Sequence, residues 1–269
     1  MTAKLLSKAI TLSALLPFSS LSAQAYERIV VLTPDVADIV VALGSADKVV
    51  GKDQFNNSPR LAKAVSVGNH RNITAEPIMA LKPDLVLGSH MAQPNSIYQR
   101  LNSLNVKAVN VAPQEDIASY SNSIKQIGRY LGRSSQANRL ADKWNKQMAP
   151  KASTKIRYLL SYDGRIVAGK GTVGDELIKR AGGINAANVT GLKPLSREGW
   201  LAAKPDVIII ADHNQPVIGS VASFRQRPEI ANSTAAKKNH IYFWDADEFL
   251  RYGLASPSVV NKLNQLAKQ

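Results

Sequence analysis

The chain contains no cysteine. This excludes disulfides, thiolate zinc sites, iron–sulfur clusters and cysteine nucleophiles together, along with a lipid-modified cysteine anchor at the start of a mature chain. Beyond residue 25 no run approaches the roughly 18 consecutive apolar residues of a membrane span, so a soluble product is expected. Acids are scarce: 20 Asp and Glu stand against 34 Lys and Arg, a formal net charge of +14. Familiar catalytic signatures are missing too, with no Gly-x-Ser-x-Gly elbow, no Walker loop and no His-Glu-x-x-His. What is present is ordinary globular composition over 269 residues, 45% hydrophobic and 20% charged. That length suits one large α/β domain or two domains of roughly 100–120 residues, each with its own core.

The first 25 residues read as a secretory signal. Lys4 and Lys8 precede an apolar run from Ala9 to Phe18, and Ala23-Gln24-Ala25 supplies small residues for cleavage, leaving Tyr26 first. The alternative is a short N-terminal helix of the mature fold. Export without a cysteine anchor points to the periplasm. Nucleic acid is then not an expected partner, and the positive charge is assigned to anionic small molecules or to a solvated surface.

Short apolar runs alternate with helical patterns. Ile29 to Leu32 reads as a buried strand, Thr33-Pro34 as a helix N-cap and first turn, and Val36, Ile39, Val40 and Leu43 as a helix face stopped by Gly44. Val49-Val50, Leu85 to Leu87 and Val106 to Val111 read as further strands. Helical spacing then runs from Ile117 to Leu131, and again from Ala137 to Met148, ending at Pro150. A second series has strands at Ile156 to Leu160, Arg165 to Ala168, Val207 to Ile210 and His240 to Trp244. Its helices lie over Thr172 to Ala181 and from Ser256 onward. The expectation is an α/β chain of two Rossmann-like lobes with largely parallel sheets. It would divide into an N-terminal lobe (26–131), a long connecting helix (132–150) and a C-terminal lobe (151–269).

An internal repeat supports two lobes. Thr74 to Leu85 and Ser196 to Val207 align without a gap, with identical pairs Glu76/Glu198, Ala80/Ala202, Lys82/Lys204, Pro83/Pro205 and Asp84/Asp206. Each copy offers a hydroxyl N-cap, a first-turn Glu, a short helix ended by Lys-Pro-Asp and an apolar strand. The two glutamates either complement the helix dipole or serve as a displayed pair of functional acids.

With its export signal, repeat and helical connector, the chain resembles the class III periplasmic binding proteins of ABC importers, which take up vitamin B12, ferric siderophores and haem. Val67-Gly68, Arg71, Ala75-Glu76, Pro194 to Gly199 and Ala255 to Val259 resemble the haemin-binding branch. The resemblance implies a monomer that binds haem or a related iron chelate between its lobes as cargo, with no intrinsic cofactor and no enzymatic activity. It also implies a permease dimer as partner, docked through Glu76 and Glu198. One departure stands out. A haem-ligating tyrosine is implied just before Pro59, yet Phe55-Asn56-Asn57-Ser58-Pro59 has none. Tyr162 occupies a position after the first strand of the second lobe where some members carry a histidine.

Ligands of open α/β sheets bind beyond the carboxyl ends of the strands. Candidate cleft residues are therefore Asp53, Phe55, His70, Arg71, His90, Tyr162, His213, Arg251 and Tyr252. Tyr162 and His70 are the candidates for haem iron, which accepts either donor type. Solvated loop histidines and interface tyrosines remain the plain alternatives. Arg71, Arg197 and Arg251 could pair cargo carboxylates. Gly169-Lys170-Gly171-Thr172-Val173-Gly174 is only distantly like a dinucleotide fingerprint, and Asp175-Glu176 directly after it would repel a phosphate. An exported α/β hydrolase, a siderophore binder and a cobalamin binder are the alternative functions.

Overall fold

The computed structural model describes residues 26–268. The proposed signal and its cleavage point, apart from Tyr26, lie outside the described residues. Strands are β1 (Ile29–Val31), β2 (Val49–Lys52), β3 (Val65–Ser66), β4 (Leu85–Ser89), β5 (Lys107–Ala112), β6 (Arg157–Ser161), β7 (Ile166–Ala168), β8 (Ile184–Asn185), β9 (Leu192–Pro194), β10 (Val207–Ala211) and β11 (Ile241–Trp244). Helices are α1 (Pro34–Ala42), α2 (Ala75–Ala80), α3 (Ile97–Ser103), α4 (Ile117–Tyr130), α5 (Ser134–Gln147), α6 (Val173–Arg180), α7 (Arg197–Ala203), α8 (Gln215–Ile218), α9 (Val221–Arg225), α10 (Thr234–Lys237), α11 (Ala246–Leu250) and α12 (Ser256–Leu266). Among the described residues, no helix is long and apolar enough to cross a membrane.

The first sheet has the order β3-β2-β1-β4-β5 and every pairing in it is parallel. Its inner strands β1 and β4 are buried throughout, which is why they read as unbroken apolar runs rather than as alternation. The second sheet runs β11-β10-β6-β7-β9 with β8 beside β6. Here β10, β11, β6 and β8 pair in parallel, but β7 runs antiparallel to both β6 and β9. The second lobe is therefore mixed at one edge. Only four residues separate β6 from β7, too short for a crossover, so the chain must turn back on itself. Gly164 makes that turn, at φ +76°, and its N–H donates to Ser161 Oγ at 2.9 Å.

The repeat has a structural basis on both lobes. Lys82 and Lys204 end their helices at φ 47° and 43°, so a left-handed residue stops each helix, and the proline merely follows. Asp84 accepts the Glu27 and Arg28 N–H groups at 2.8 and 3.0 Å, and Asp206 accepts that of Arg157 at 2.9 Å. Arg28 returns the contact to the carbonyls of Leu81 and Lys82, and Arg157 to that of Ala203. The Lys-Pro-Asp corner thus ties the end of a helix to the start of the first strand in its lobe. The expected caps differ. Ser196 accepts the Gly199 N–H at 3.1 Å, but Thr74 makes no cap bond. Thr33 does not cap α1 either; its hydroxyl accepts a bond from Ser89 Oγ instead.

Helix α5 is no isolated rod. It lies antiparallel on α4, with Ala137 against Gly128, Lys125 Nζ 3.1 Å from Asp142, and Asn145 bonded to Ser121 at 2.7 Å. Trp144 then joins the pair to the second lobe: its indole N–H donates to the Gly253 carbonyl at 2.9 Å. One buried apolar cluster runs from Ile39 and Val40 through Ile124 and Trp144 to Leu177 and Val260, so the lobes share a core at this end.

Candidate functional site

A cavity of about 590 Å³ opens between the lobes. Its walls come from the carboxyl ends of strands in both sheets. Pro34 follows β1, Phe55 and Asn57 follow β2, His70 and Arg71 follow β3, and Met91 follows β4. Opposite them, Tyr162 follows β6, Asp212 and His213 follow β10, and Asp245, Ala246, Asp247, Leu250 and Arg251 follow β11. Parallel strands deliver their following loops to one edge, which is how residues so far apart in sequence converge.

The first-lobe wall is built around Asp53. Its carboxylate, 1% exposed, accepts the Phe55 N–H at 2.8 Å, the His70 backbone N–H at 2.8 Å and the His70 ring Nδ1 at 3.0 Å. Asp53 itself lies behind the cavity and acts through His70. The Phe55 ring stands edge-on to the imidazole at 5.7 Å, and its outer face is exposed to the cavity. Arg71 is exposed at the rim, and its guanidinium makes no hydrogen bond among the described residues.

On the second-lobe wall, the Tyr162 and His213 rings lie 5.0 Å apart. Asn214 holds this corner, donating to the Tyr162 carbonyl at 2.7 Å with its amide 2.8 Å from His213 Nε2. Arg251 lines the cavity but is already paired, with Nη2 3.0 Å from Asp247 and 3.3 Å from Asp38. Burial works against its charge, and the Asp247 hydrogen bond and the Asp247 and Asp38 charges more than restore it, so its pKa is raised. Asp212, Asp245 and Asp247 make this wall acidic, whereas Arg71 gives the first-lobe wall an unpaired positive charge.

Besides Asp53, three residues expected to meet the cargo do not line this cavity. His90 sits in a separate small recess with Asp35 and Tyr120, its Nδ1 3.2 Å from the Ala112 carbonyl and its Nε2 3.7 Å from Glu115. Tyr252 is buried near Tyr120, at 6.4 Å between rings, and burial raises its pKa, so it is an interface aromatic. Arg197 is exposed in the first turn of α7 beside Glu198. Conversely, Pro34, Asn57, Met91, Asp212, Asp245, Ala246, Asp247 and Leu250 line the cavity beside the candidates named from the sequence, and they too follow strand ends.

The glycine-rich segment is also resolved. A side chain at Gly169 would strike the Val189 carbonyl, Gly171 sits at φ +80°, and Gly174 packs on Leu160 and Ala168. Asp175 occupies the turn and accepts from Gly171 N at 3.0 Å, Lys179 Nζ at 2.6 Å and Asn185 Nδ2 at 3.0 Å. Burial raises the pKa of Asp175, but these partners lower it further, and the net direction is down. An anionic side chain therefore fills the place that a phosphate would need.

Glu76 and Glu198 are exposed in the first turns of α2 and α7, away from the cavity lining. The pKa of Glu198 is lowered by a hydrogen bond from its own backbone N–H and by the Ser196 hydroxyl.

Two sheet-based lobes that enclose a cavity at their strand ends, braced by a helical pair, define a solute-binding architecture. Residues 29–248 match the family model described as periplasmic binding protein. The periplasmic heme-binding protein RhuT from Roseiflexus sp. RS-1, in apo form, superposes with a TM-score of 0.79 at 28% identity, covering 90% of this chain and 99% of that one. The periplasmic heme-binding protein BhuT in complex with two hemes gives a TM-score of 0.80 at 26% identity, covering 90% and 98%. A vitamin B12-binding protein of Yersinia pestis (strain Pestoides F) is 27% identical over 223 residues, 78% of each chain. The chain belongs to the periplasmic binding protein family, the substrate-binding components of ABC transporters.

Proposed function

We propose that this chain captures haem, or a related iron chelate, in the inter-lobe cavity and delivers it to an ABC importer of the inner membrane. The observation that carries this is the cavity wall itself. Phe55, Met91, Tyr162 and Leu250 offer apolar and aromatic surface for a flat cargo, Tyr162 and His70 would supply iron donors from opposite lobes, and Arg71 at the rim would pair a cargo carboxylate. The haem-binding neighbours support the same cargo. Tyr162 is the proposed phenolate donor of the second lobe, a hard anionic ligand suited to ferric iron. Glu76 and Glu198 are the proposed contacts to the permease. The chain works in the periplasm after cleavage behind Ala25, and an intact mass beginning at Tyr26 would support this.

Titration with haemin, followed by absorbance, tests the cargo. A saturable Soret band that changes on Tyr162→Phe is the expected result. Absence of any Soret change at micromolar haemin would overturn the haem reading. A second reading, cobalamin, has one observation in its favour: curated relatives of similar identity are vitamin B12-binding proteins. Titration with a cobalamin decides between them.

A further inference from the structure

His70 is presented as a metal-ligating imidazole would be. The residue is 6% exposed, yet it lines the cavity. Its Nδ1 lies 3.0 Å from Asp53 Oδ2, and that same oxygen accepts the His70 backbone N–H at 2.8 Å. Asp53 Oδ2 accepts from the backbone N–H and faces the ring nitrogen beside it, an arrangement that favours the tautomer with its proton on Nδ1. Nε2 is left with its lone pair. It makes no hydrogen bond among the described residues, and it is not among the fully buried unpartnered atoms. His70 lines the cavity, and Nε2 is the ring nitrogen left to meet a cargo there.

A histidine held only for packing would have both nitrogens satisfied, as buried polar groups generally are. A histidine acting as a general base would need a nucleophile on Nε2, and no hydroxyl is bonded to it. The third pattern matches: ligating histidines nearly always donate their other ring N–H to a carboxylate or carbonyl, which fixes both tautomer and ring orientation. The ring has little freedom, since Phe55 stands against it and Asp53 is locked by the Phe55 N–H.

Taking the cavity as the cargo site, we infer that His70, positioned by Asp53, is an axial nitrogen donor to the cargo metal. The cargo is then a metal complex with an exchangeable axial position, the class of iron porphyrins and cobalt corrinoids. A ferric chelate whose iron is saturated by six oxygen donors offers Nε2 nothing to bind. Asp53 is a positioning residue: it touches the imidazole and not the cargo.

The test titrates the full mature chain with haemin, iron-free protoporphyrin IX, aquocobalamin and a ferric tris-hydroxamate, read by absorbance and, for haemin, by electron paramagnetic resonance. His70→Gln keeps an amide N–H for Asp53 and similar bulk while removing the imidazole donor, and His70→Ala opens room for added imidazole. The expected results are a change of axial-ligand spectrum and roughly 10–100-fold weaker haemin binding in both variants, with iron-free porphyrin affinity unchanged. Added imidazole restores the wild-type spectrum in His70→Ala. Asp53→Asn weakens haemin binding in the same direction, and Asp53→Glu recovers part of it. If haemin binds and neither His70 variant alters spectrum or affinity, the donor assignment is overturned while the haem reading stands. If haemin does not bind but aquocobalamin does, with a spectrum that depends on His70, the haem reading falls and the donor assignment stands. Binding of the tris-hydroxamate alone overturns both.

Discussion

Arg251 joins the two lobes through Asp38. Its Nη2 lies 3.3 Å from the Asp38 carboxylate on α1 and 3.0 Å from Asp247 on its own lobe. Two residues later the Gly253 carbonyl accepts the Trp144 indole N–H. The segment 251–253 therefore contacts both the first lobe and the α4–α5 pair, at the edge of the cavity. Whatever moves the lobes relative to one another must change these contacts.

Replacing Arg251 by Ala should weaken the lobe contact in a pH-dependent way. Burial raises the pKa of Asp38, and Arg251 opposes that rise. A carboxyl whose folded pKa is raised holds its proton more tightly when folded, so its contribution to stability falls as pH rises from 3.8 through the folded value. Without Arg251 the rise is larger. Asp38 is 39% exposed, which keeps the loss modest. Urea unfolding should show Arg251→Ala less stable by about 1–2 kcal/mol at neutral pH. The deficit should be smaller near pH 4, where Asp38 takes up its proton. An equal deficit at both pH values would refute this account.

His90 supplies a second pH signature, away from the cavity. The Glu115 contact raises its pKa above 6.5, burial opposes this, and the Ala112 carbonyl and Asp35 add to the rise. A histidine with a raised folded pKa stabilises fully below its unfolded pKa, and this is lost as pH rises through the folded value. Stability should therefore fall slightly from pH 6 to pH 8, by less than about 1 kcal/mol given the exposure of the pair. His90→Gln should flatten that slope in thermal melts. An unchanged slope would show that other groups carry it.

The sequence was most readable where physics leaves one choice. Strands buried on both faces, such as Ile29–Val31 and Val207–Ala211, are unbroken apolar runs bounded by breakers. The edges were invisible because exposed strands such as Val65–Ser66 and Leu192–Pro194 have no apolar pattern to read. Within the cavity, the strand-end rule reaches Phe55, His70, Arg71, Tyr162, His213 and Arg251 directly. It misassigns Tyr252, whose burial near Tyr120 depends on how the lobes pack. It also gives no hint that Asp53 lies behind His70, since that contact spans two loops and depends on side-chain orientation. The sheets are largely parallel as expected, but the antiparallel edge of the second was not legible, because Arg165 to Ala168 reads as a strand without showing its direction.

The two copies of the repeat should respond differently to the same substitution. Ser196 caps α7 through Gly199 N, whereas Thr74 makes no cap bond on α2. Ser196→Ala should cost about 1 kcal/mol, and Thr74→Ala only a few tenths. Glu198 should also titrate closer to an ordinary carboxylate in Ser196→Ala, since the serine hydroxyl helps to lower its pKa. Chemical denaturation and carboxyl NMR titration of the two variants read these outcomes. Equal costs would mean that the hydroxyl at 74 caps its helix in solution.

The final prediction concerns delivery to the permease. Glu76 and Glu198 recur at matching places in the two copies, both exposed in first turns and neither lining the cavity. Their local role does not require the match: the corner that holds each copy in place is made by Asp84 with Arg28 and by Asp206 with Arg157. An acid on each lobe suits a partner with two symmetric basic patches, because complementary charges steer encounter and fix register. Glu76→Lys combined with Glu198→Lys should therefore abolish stimulation of the transporter's ATP hydrolysis. Each single reversal should weaken docking by roughly tenfold or more, more so at low salt. Cargo affinity should stay within about twofold, since neither glutamate lines the cavity and exposed charges are screened. Stimulation by the double variant at the wild-type level, in proteoliposomes with cargo saturating, would remove both glutamates from the docking surface. Lost stimulation together with lost cargo binding would instead show that the substitutions disturb the lobes themselves.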